Sequence, residues 1–149
     1  MTKRWLPSTP PGRRWARGVA EEQVVIDASA LVDLLLGEEL GRAVARRLEG
    51  RVLHAPAHID AQVLSALGRL YRAGTIAGDE TTRRIDALVS APIERHPVPQ
   101  LMVGAWHRRE HVRLVDGLYV ELAARLHVPL VTTDGAFGRA TDVAEVVTG

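Results

Sequence analysis

The sequence contains no cysteine among its 149 residues, which excludes disulfide bonds and thiolate metal sites. Its six histidines show no HExxH or other zinc-binding spacing. No apolar run approaches the roughly 20 residues that a membrane span requires, so no membrane partner is expected. The lack of cysteine fits the reducing cytosol, and we predict a cytoplasmic protein.

Basic charge is concentrated at the start of the chain. Residues 1–18 carry five of the 19 basic residues and no acid, and prolines interrupt any periodicity there. We interpret residues 1–22 as a basic, Pro-containing extension, either a disordered or non-native tail or an arm that contacts nucleic acid. Residues 23–149 are predicted to form a single domain. This domain is mildly acidic, which does not favour binding of nucleic acid through bulk positive charge.

Short apolar segments alternate with helical patterns along the predicted domain. The run Val24–Ile26 stops at Asp27, and Ser29 is expected to cap a helix that ends at Gly37. Further strands are predicted at 52–55, 93–96, 130–133 and 144–147, and helices at 38–49, 58–73, 81–90, 101–106, 115–126 and around Phe137. Strands separated by helices predict an α/β fold with a central parallel sheet.

Three aspartates are expected to meet at one edge of this sheet. Asp27 and Asp134 each end an apolar strand, and Asp116 opens a helix that begins at the same edge. Carboxylates that lie close together repel and need a cation between them. Oxygen ligands suit Mg²⁺ or Mn²⁺, and such a site can activate water and stabilise the charge that develops in phosphoryl transfer.

Each aspartate also has a purely structural interpretation. Asp27 can cap its own helix, Asp116 can interact with the helix dipole, and Asp134 can cap a turn. Only their joint placement points to a site.

The segments "VVIDASALVDLLL", "LHAPAHIDAQVLSALGRLYRAG" and "RLVDGLYVELAARLHVPLVTTD", in this order, resemble a PIN domain, and more narrowly a VapC-type toxin ribonuclease. The resemblance runs from about Val24 to Val147. It implies a three-layer α/β/α sandwich, a Mg²⁺ or Mn²⁺ site, RNA cleavage, a homodimer and inhibition by a cognate VapB-like antitoxin. By the same resemblance, Asp27, Asp116 and Asp134 are catalytic and metal-binding residues.

One position departs from the family pattern. The family has a second acidic residue on the long helix, and Gln62 stands there in this sequence. Glutamine keeps one acceptor oxygen but has no charge, so weaker metal binding and reduced or absent activity are expected. Asp60 is a substitute only if the helix starts late, because residues two apart on a helix point about 200° away from each other.

Several other residues are candidates for supporting roles. Ser29, Thr132 and Thr133 are expected to position water or phosphate, or else to belong to the strand edge and the helix cap. Arg109 and His111, in the basic cluster 108–113, are candidate RNA contacts or solvated surface. Trp106 and Tyr119 are predicted to pack in the core. An apolar groove, which the resemblance links to dimerisation and antitoxin binding, is expected from Leu64, Leu67, Leu70, Tyr71, Ile85 and Leu88.

These observations leave three hypotheses. The first is a metal-dependent endoribonuclease, a hydrolase of VapC type, in which Gln62 is at most a weak ligand. The second is a catalytically degenerate PIN domain that binds an antitoxin or RNA. The third, a phosphoaspartyl enzyme, is disfavoured because a phosphatase of the haloacid-dehalogenase type would have an aspartate at the position of Ser29.

Overall fold

A five-stranded parallel sheet forms the centre of the molecule. The computed structural model describes residues 21–149, so nearly all of the predicted extension 1–22 lies outside the described residues. The strands are β1 (Gln23–Ile26), β2 (Val52–Pro56), β3 (Ile93–His96), β4 (Leu130–Thr132) and β5 (Ala144–Val146). Their order is β3-β2-β1-β4-β5, and every neighbouring pair is parallel. The predicted parallel α/β architecture is confirmed.

Seven helices connect and cover these strands. They are α1 (Ala28–Leu36), α2 (Glu39–Leu48), α3 (Ile59–Arg72), α4 (Gly78–Val89), α5 (Met102–His107), α6 (Leu114–Leu126) and α7 (Gly135–Ala140). A 3-10 turn at Val98–Leu101 precedes α5. Helix α1 packs against α2 and α3, and α5 packs against α6. Within residues 21–149, none of the helices combines the length and the apolar character needed to cross a membrane.

The burial of the central strand β1 explains why apolar and polar residues do not alternate in its sequence. Val24, Val25 and Ile26 are fully buried, as are Leu130 and Val131 of the neighbouring β4. A strand covered by helices on both faces has to be apolar at every position. The sheet therefore holds the residue that follows β1 at a fixed place beside the end of β4.

The start of α1 differs from the prediction. Asp27, and not Ser29, is the N-cap, because β1 ends at Ile26 and the Asp27 Oδ1 accepts the N–H of Ala30 at 2.9 Å. Ser29 lies inside the first turn. Aspartate and serine are both good caps, and the position at which the strand ends decides which of them is used.

The two aromatic residues predicted to pack have different environments. Tyr119 is buried, as predicted. The prediction for Trp106 is wrong, because its side chain is 54% exposed at the end of the short helix α5. The guanidinium carbon of Arg109 lies 4.5 Å from the centre of its ring, so the indole packs against a cation at the surface.

Candidate active site

The two strand-terminal aspartates share one edge of the sheet. Strands β1 and β4 are parallel neighbours, with Val25 opposite Leu130 and Ile26 opposite Val131. Asp27 follows β1 directly, and Asp134 follows β4 after one intervening residue. Asp116 lies in the first turn of α6, which packs against both strands. The condition for both strand-terminal aspartates to lie at one edge, which is that their strands are neighbours, is therefore met.

Thr132 connects the two aspartate positions. Its hydroxyl is fully buried and donates a hydrogen bond to the Asp27 Oδ2 at 2.6 Å. The Thr132 Oγ1 also accepts the backbone N–H of Asp134 at 3.0 Å. One side chain at the end of β4 thus fixes the carboxylate of Asp27 relative to the backbone of Asp134.

The Asp27 carboxylate is buried and well supplied with donors. Besides Ala30 and Thr132, the Ser29 hydroxyl donates to it at 2.8 Å. Burial, with a smaller contribution from the charge of Asp116, nevertheless raises the pKa of Asp27 to about 6 from its ordinary value of 3.8. The hydrogen bonds act in the opposite direction but do not compensate for the loss of solvent. A bound cation would favour the ionised carboxylate.

Asp116 and Asp134 are held by different partners. The Arg113 Nε donates to the Asp116 Oδ2 at 2.9 Å. This hydrogen bond, and then the charges of Asp116 and Asp134, raise the pKa of Arg113. Asp134 is the N-cap of α7, since its Oδ1 accepts the N–H groups of Ala136 and Phe137. Arg113 therefore interacts electrostatically with both carboxylates. Its side chain is 80% exposed.

A cleft opens beside these aspartates. It has a volume of ≈ 340 Å³ and is lined by His111, Val112, Arg113, Asp116, Asp134, Ala136, Phe137 and Ala140. A second cleft of ≈ 280 Å³ shares His111 with it and adds Arg108 and Arg139. Acidic groups thus lie next to basic ones. Of the two predicted RNA contacts, His111 lines both clefts, whereas Arg109 lies over Trp106.

Gln62 is connected to the helix that carries Asp116 by a hydrogen bond from Tyr119. The Tyr119 hydroxyl donates to the Gln62 Oε1 at 2.6 Å, and its ring packs against His58 with 4.9 Å between the ring centres. Burial, together with the charges of Asp27 and Asp116, raises the pKa of Tyr119 far above its ordinary value. Sequence reasoning assigned Tyr119 to packing alone. Its position three residues after Asp116, on the same face of α6, was the available signal.

Two predicted supporting residues, Asp60 and Thr133, interact with side chains other than those of the three aspartates. Asp60 lies in the first turn of α3, and its carboxylate forms an ion pair with Arg95 at 2.8 Å, so it does not replace an acid at position 62. The Thr133 hydroxyl donates to the Asp33 Oδ2 at 2.6 Å, while the Thr133 N–H points to the Ser29 Oγ at 3.3 Å. Asp33, which the sequence analysis did not single out, is thus a further carboxylate near this edge.

The residues at the edge fit a hard divalent cation. Asp27, Asp116 and Asp134 provide carboxylate oxygens, and the charge of Asp116 acts directly on Asp27. Ser29 and Thr132 add hydroxyl oxygens beside them. Mg²⁺ and Mn²⁺ prefer such oxygen donors, and a buried carboxylate with a raised pKa gains most from a nearby positive charge.

A separate apolar groove lies between α3 and α4. Its volume is ≈ 500 Å³, and its lining consists of Asp60, Ala61, Leu64, Ile85, Leu88, Val89 and Arg95. Leu64 and Val89 are 51% and 74% exposed. The predicted groove residues Leu64, Ile85 and Leu88 do line it. Leu67 is fully buried in the core instead.

Comparison with known proteins gives a consistent result. The PIN domain family matches residues 24–143. The chain is 44% identical to Ribonuclease VapC3 of Mycobacterium tuberculosis over 142 residues, which is 95% of this chain and 96% of that protein. It is 40% identical to Ribonuclease VapC12 of the same organism over 112 residues, 75% of this chain and 87% of that protein.

A solved structure shares the fold. PAE2754 from Pyrobaculum aerophilum superposes with a TM-score of 0.60 at 20% sequence identity, covering 91% of each chain.

Proposed function

The chain belongs to the PIN-domain family and within it to the VapC branch, and on that premise we propose that it is a toxin endoribonuclease that hydrolyses RNA phosphodiester bonds. The observation that carries the proposal is the position of Asp27 and Asp134 at the ends of neighbouring strands, together with Asp116, whose charge acts on Asp27 and which lines a cleft with Asp134, His111 and Arg113. The two related proteins, VapC3 and VapC12, are ribonucleases by name. RNA is a cytosolic substrate, and we place the protein there.

We propose that the three aspartates hold Mg²⁺ or Mn²⁺. When bound, the ion supplies a Lewis acid that activates water and offsets the extra negative charge of the phosphorane-like transition state. The protein's own contribution is to orient the Asp27 carboxylate and to reduce the cost of ionising it. Ser29 and Thr132 donate to its two oxygens, and these hydrogen bonds act against the rise in pKa that burial causes.

Arg113 has a role of its own in this proposal. In the free protein it neutralises Asp116, and its exposed side chain extends along the cleft wall. A phosphate that enters the cleft competes with Asp116 for this guanidinium. Arg113 and His111 therefore attract the RNA backbone, and the more distant Arg109 contributes less.

We expect Arg113→Gln to weaken the binding of RNA of any base sequence, because the lost contact is to a phosphate. Loss of one single-strand phosphate contact lowers the slope of log K against log salt concentration by about 0.7. Binding of a labelled single-stranded RNA, measured by fluorescence anisotropy in EDTA so that no cleavage occurs, checks this. The matched control is Arg83→Gln, which removes another exposed arginine that is paired with an aspartate, Asp79 on α4. Equal slopes for both variants would contradict the role of Arg113.

A second function is favoured by one observation. Gln62 occupies the position of a family acid and accepts a hydrogen bond from a neutral Tyr119. A protein that keeps this neutral contact and has lost cleavage would act by binding an antitoxin or RNA. Metal-dependent cleavage by the chain as given, lost in Asp27→Asn, distinguishes the nuclease from this alternative.

The groove between α3 and α4 is our proposed surface for dimerisation and for a VapB-like antitoxin. Its exposed Leu64 and Val89 offer apolar area beside the charged pair Asp60 and Arg95. A partner segment with an apolar face would bury both residues.

Val89→Asp is expected to convert a homodimer to a monomer, because it places a charge in the buried part of such an interface. Sedimentation equilibrium over a range of protein concentrations measures the change. Val103→Asp, at a valine 66% exposed on α5, is the control and should leave the association unchanged. If Val103→Asp disrupts the dimer and Val89→Asp does not, the interface lies elsewhere.

A further inference from the structure

Two histidines and a glutamate meet on one face of strands β2 and β3, away from the three aspartates. The register places His54 opposite Glu94, and His96 follows two residues later on the same face of β3. The His54 Nδ1 lies 2.9 Å from the His96 Nε2 and 3.5 Å from the Glu94 Oε2. These three donor atoms all lie within 4.8 Å of one another.

A fourth residue fixes the orientation of His54. The His54 Nε2 lies 2.8 Å from the Gln23 Oε1, and an amide oxygen only accepts, so the ring carries its hydrogen on Nε2. The Nδ1 lone pair of His54 therefore points at His96 and Glu94. Ligating histidines in proteins show this arrangement, in which the other ring nitrogen donates to an oxygen that sets the tautomer.

The distances match those of a tetrahedral zinc site. Zinc binds imidazole nitrogen at about 2.0–2.1 Å and carboxylate oxygen at about 2.0–2.2 Å, which puts neighbouring ligands roughly 3.3 Å apart. The two separations from the His54 Nδ1, 2.9 and 3.5 Å, lie on either side of that value. Binding requires only that His96 carry its hydrogen on Nδ1 instead of Nε2, so that both rings stay neutral.

The accessibility and the position of this cluster are compatible with a metal site that is separate from the three aspartates. His54 is 4% exposed, whereas the Glu94 side chain is 64% exposed, so an ion has an open approach from the glutamate side. The cluster lies on the side of β1 that faces β2, whereas Asp134 follows β4 on the other side. Its donors are mainly nitrogen, which select a softer cation than the three aspartates do.

We propose that His54, Glu94 and His96 form a second metal site, for Zn²⁺ or a similar transition-metal ion, with Gln23 as the positioning residue of His54. Three protein ligands leave a fourth position for water. The ion would join the edge strand β3 to β2. The alternative arrangement of the same residues is a hydrogen-bonded histidine pair that binds no metal.

Co²⁺ is the probe that separates the two kinds of site. Tetrahedral Co²⁺ with nitrogen ligands gives intense visible d–d bands, and octahedral Co²⁺ among carboxylates gives only weak ones. Titration of the full chain with CoCl₂ is expected to produce the intense bands with a stoichiometry of one, and ZnCl₂ is expected to abolish them. Absence of the intense bands would overturn the proposal.

Glu94, which is exposed, and His96, which is half-buried, provide the decisive variants, because neither side chain belongs to the core. Glu94→Gln and His96→Gln should each weaken Co²⁺ binding by roughly 10-fold or more, and Gln23→Leu by about 10- to 100-fold, whereas Gln23→Glu should restore it. The controls Glu110→Gln, His107→Gln and Asp27→Asn should leave the bands unchanged. Bands that disappear in Asp27→Asn, or persist in both Glu94→Gln and His96→Gln, would contradict the assignment.

Discussion

Asp27→Asn is expected to abolish RNA cleavage and, at the same time, to make the metal-free protein more stable. The Asp27 carboxylate is 5% exposed, and burial raises its pKa to about 6. Each unit of pKa difference corresponds to about 1.36 kcal/mol, so ionising this group in the folded state costs about 2–3 kcal/mol relative to the unfolded chain. Asparagine carries no charge and avoids that cost.

The hydrogen bonds around position 27 survive this substitution. The asparagine oxygen still accepts the N–H of Ala30, and its NH₂ donates to the oxygen of Thr132. The Thr132 hydroxyl then turns to the Ser29 Oγ, which is 3.1 Å away. Because the cap is retained and asparagine is as good an N-cap as aspartate, helix α1 keeps its start.

The stability difference has a defined pH dependence. Below pH 3.8 Asp27 is protonated in both states and contributes nothing. Between pH 3.8 and about 6 the folded state binds more protons than the unfolded state, so the stability of the parent falls as pH rises. Urea unfolding at pH 4 and pH 7.5, without metal, should therefore show the advantage of Asp27→Asn only at the higher pH.

Asp134→Asn is the matched comparison for this experiment. It removes the charge of the second strand-terminal aspartate and retains the N-cap of α7, so cleavage should be lost with less than about 0.5 kcal/mol change in stability. An Asp27→Asn variant that is less stable than the parent at pH 7.5 would contradict our account of the buried carboxylate. Cleavage retained in Asp27→Asn would contradict the proposed active site.

Gln62→Glu is expected to tighten Mn²⁺ binding by roughly 10- to 100-fold, the range associated with residues that support metal ligands. The new carboxylate keeps the hydrogen bond from Tyr119, since the acceptor oxygen is retained. It adds a fourth negative charge near Asp27 and Asp116. Without metal, the same charge should lower the melting temperature, because like charges repel.

Isothermal titration calorimetry with MnCl₂ measures the affinity, and a cleavage assay on the same proteins measures activity. The control is Gln100→Glu, which makes the same charge change at an exposed position in the 3-10 turn. An unchanged Mn²⁺ affinity in Gln62→Glu would refute our interpretation of position 62. Cleavage that appears only in Gln62→Glu would favour the binding-protein alternative for the natural chain.

Much of the fold follows from patterns within short segments. All five strands were predicted, since apolar β-branched runs bounded by glycine, proline or aspartate leave few alternatives. The adjacency of β1 and β4, which the sequence offered only as a condition for a shared edge, is seen in the structure. Boundaries were less predictable: α4 begins at Gly78, three residues before the predicted start. Propensity alone does not decide which of several adequate residues opens a helix.

Contacts between distant segments could not be predicted. The hydrogen bond between Gln62 and Tyr119 spans 57 residues, and the pair His54 and His96 spans 42. Both depend on the position of one element against another, which residue type and spacing do not specify. Zinc motifs are recognisable in sequence when the ligands share a helix or loop, and here they come from neighbouring strands.

The two edges of the sheet limit how this chain can associate with others. The outer strand β3 has only four residues, with charged Glu94 and Arg95 in its middle and prolines at 92 and 97 on either side. The other outer strand, β5, has three residues, and its Glu145 is tied to Arg47. Short, charged and proline-flanked edges resist the addition of a foreign strand. We therefore expect no edge-to-edge polymerisation of this protein and expect protein partners to dock on its helices.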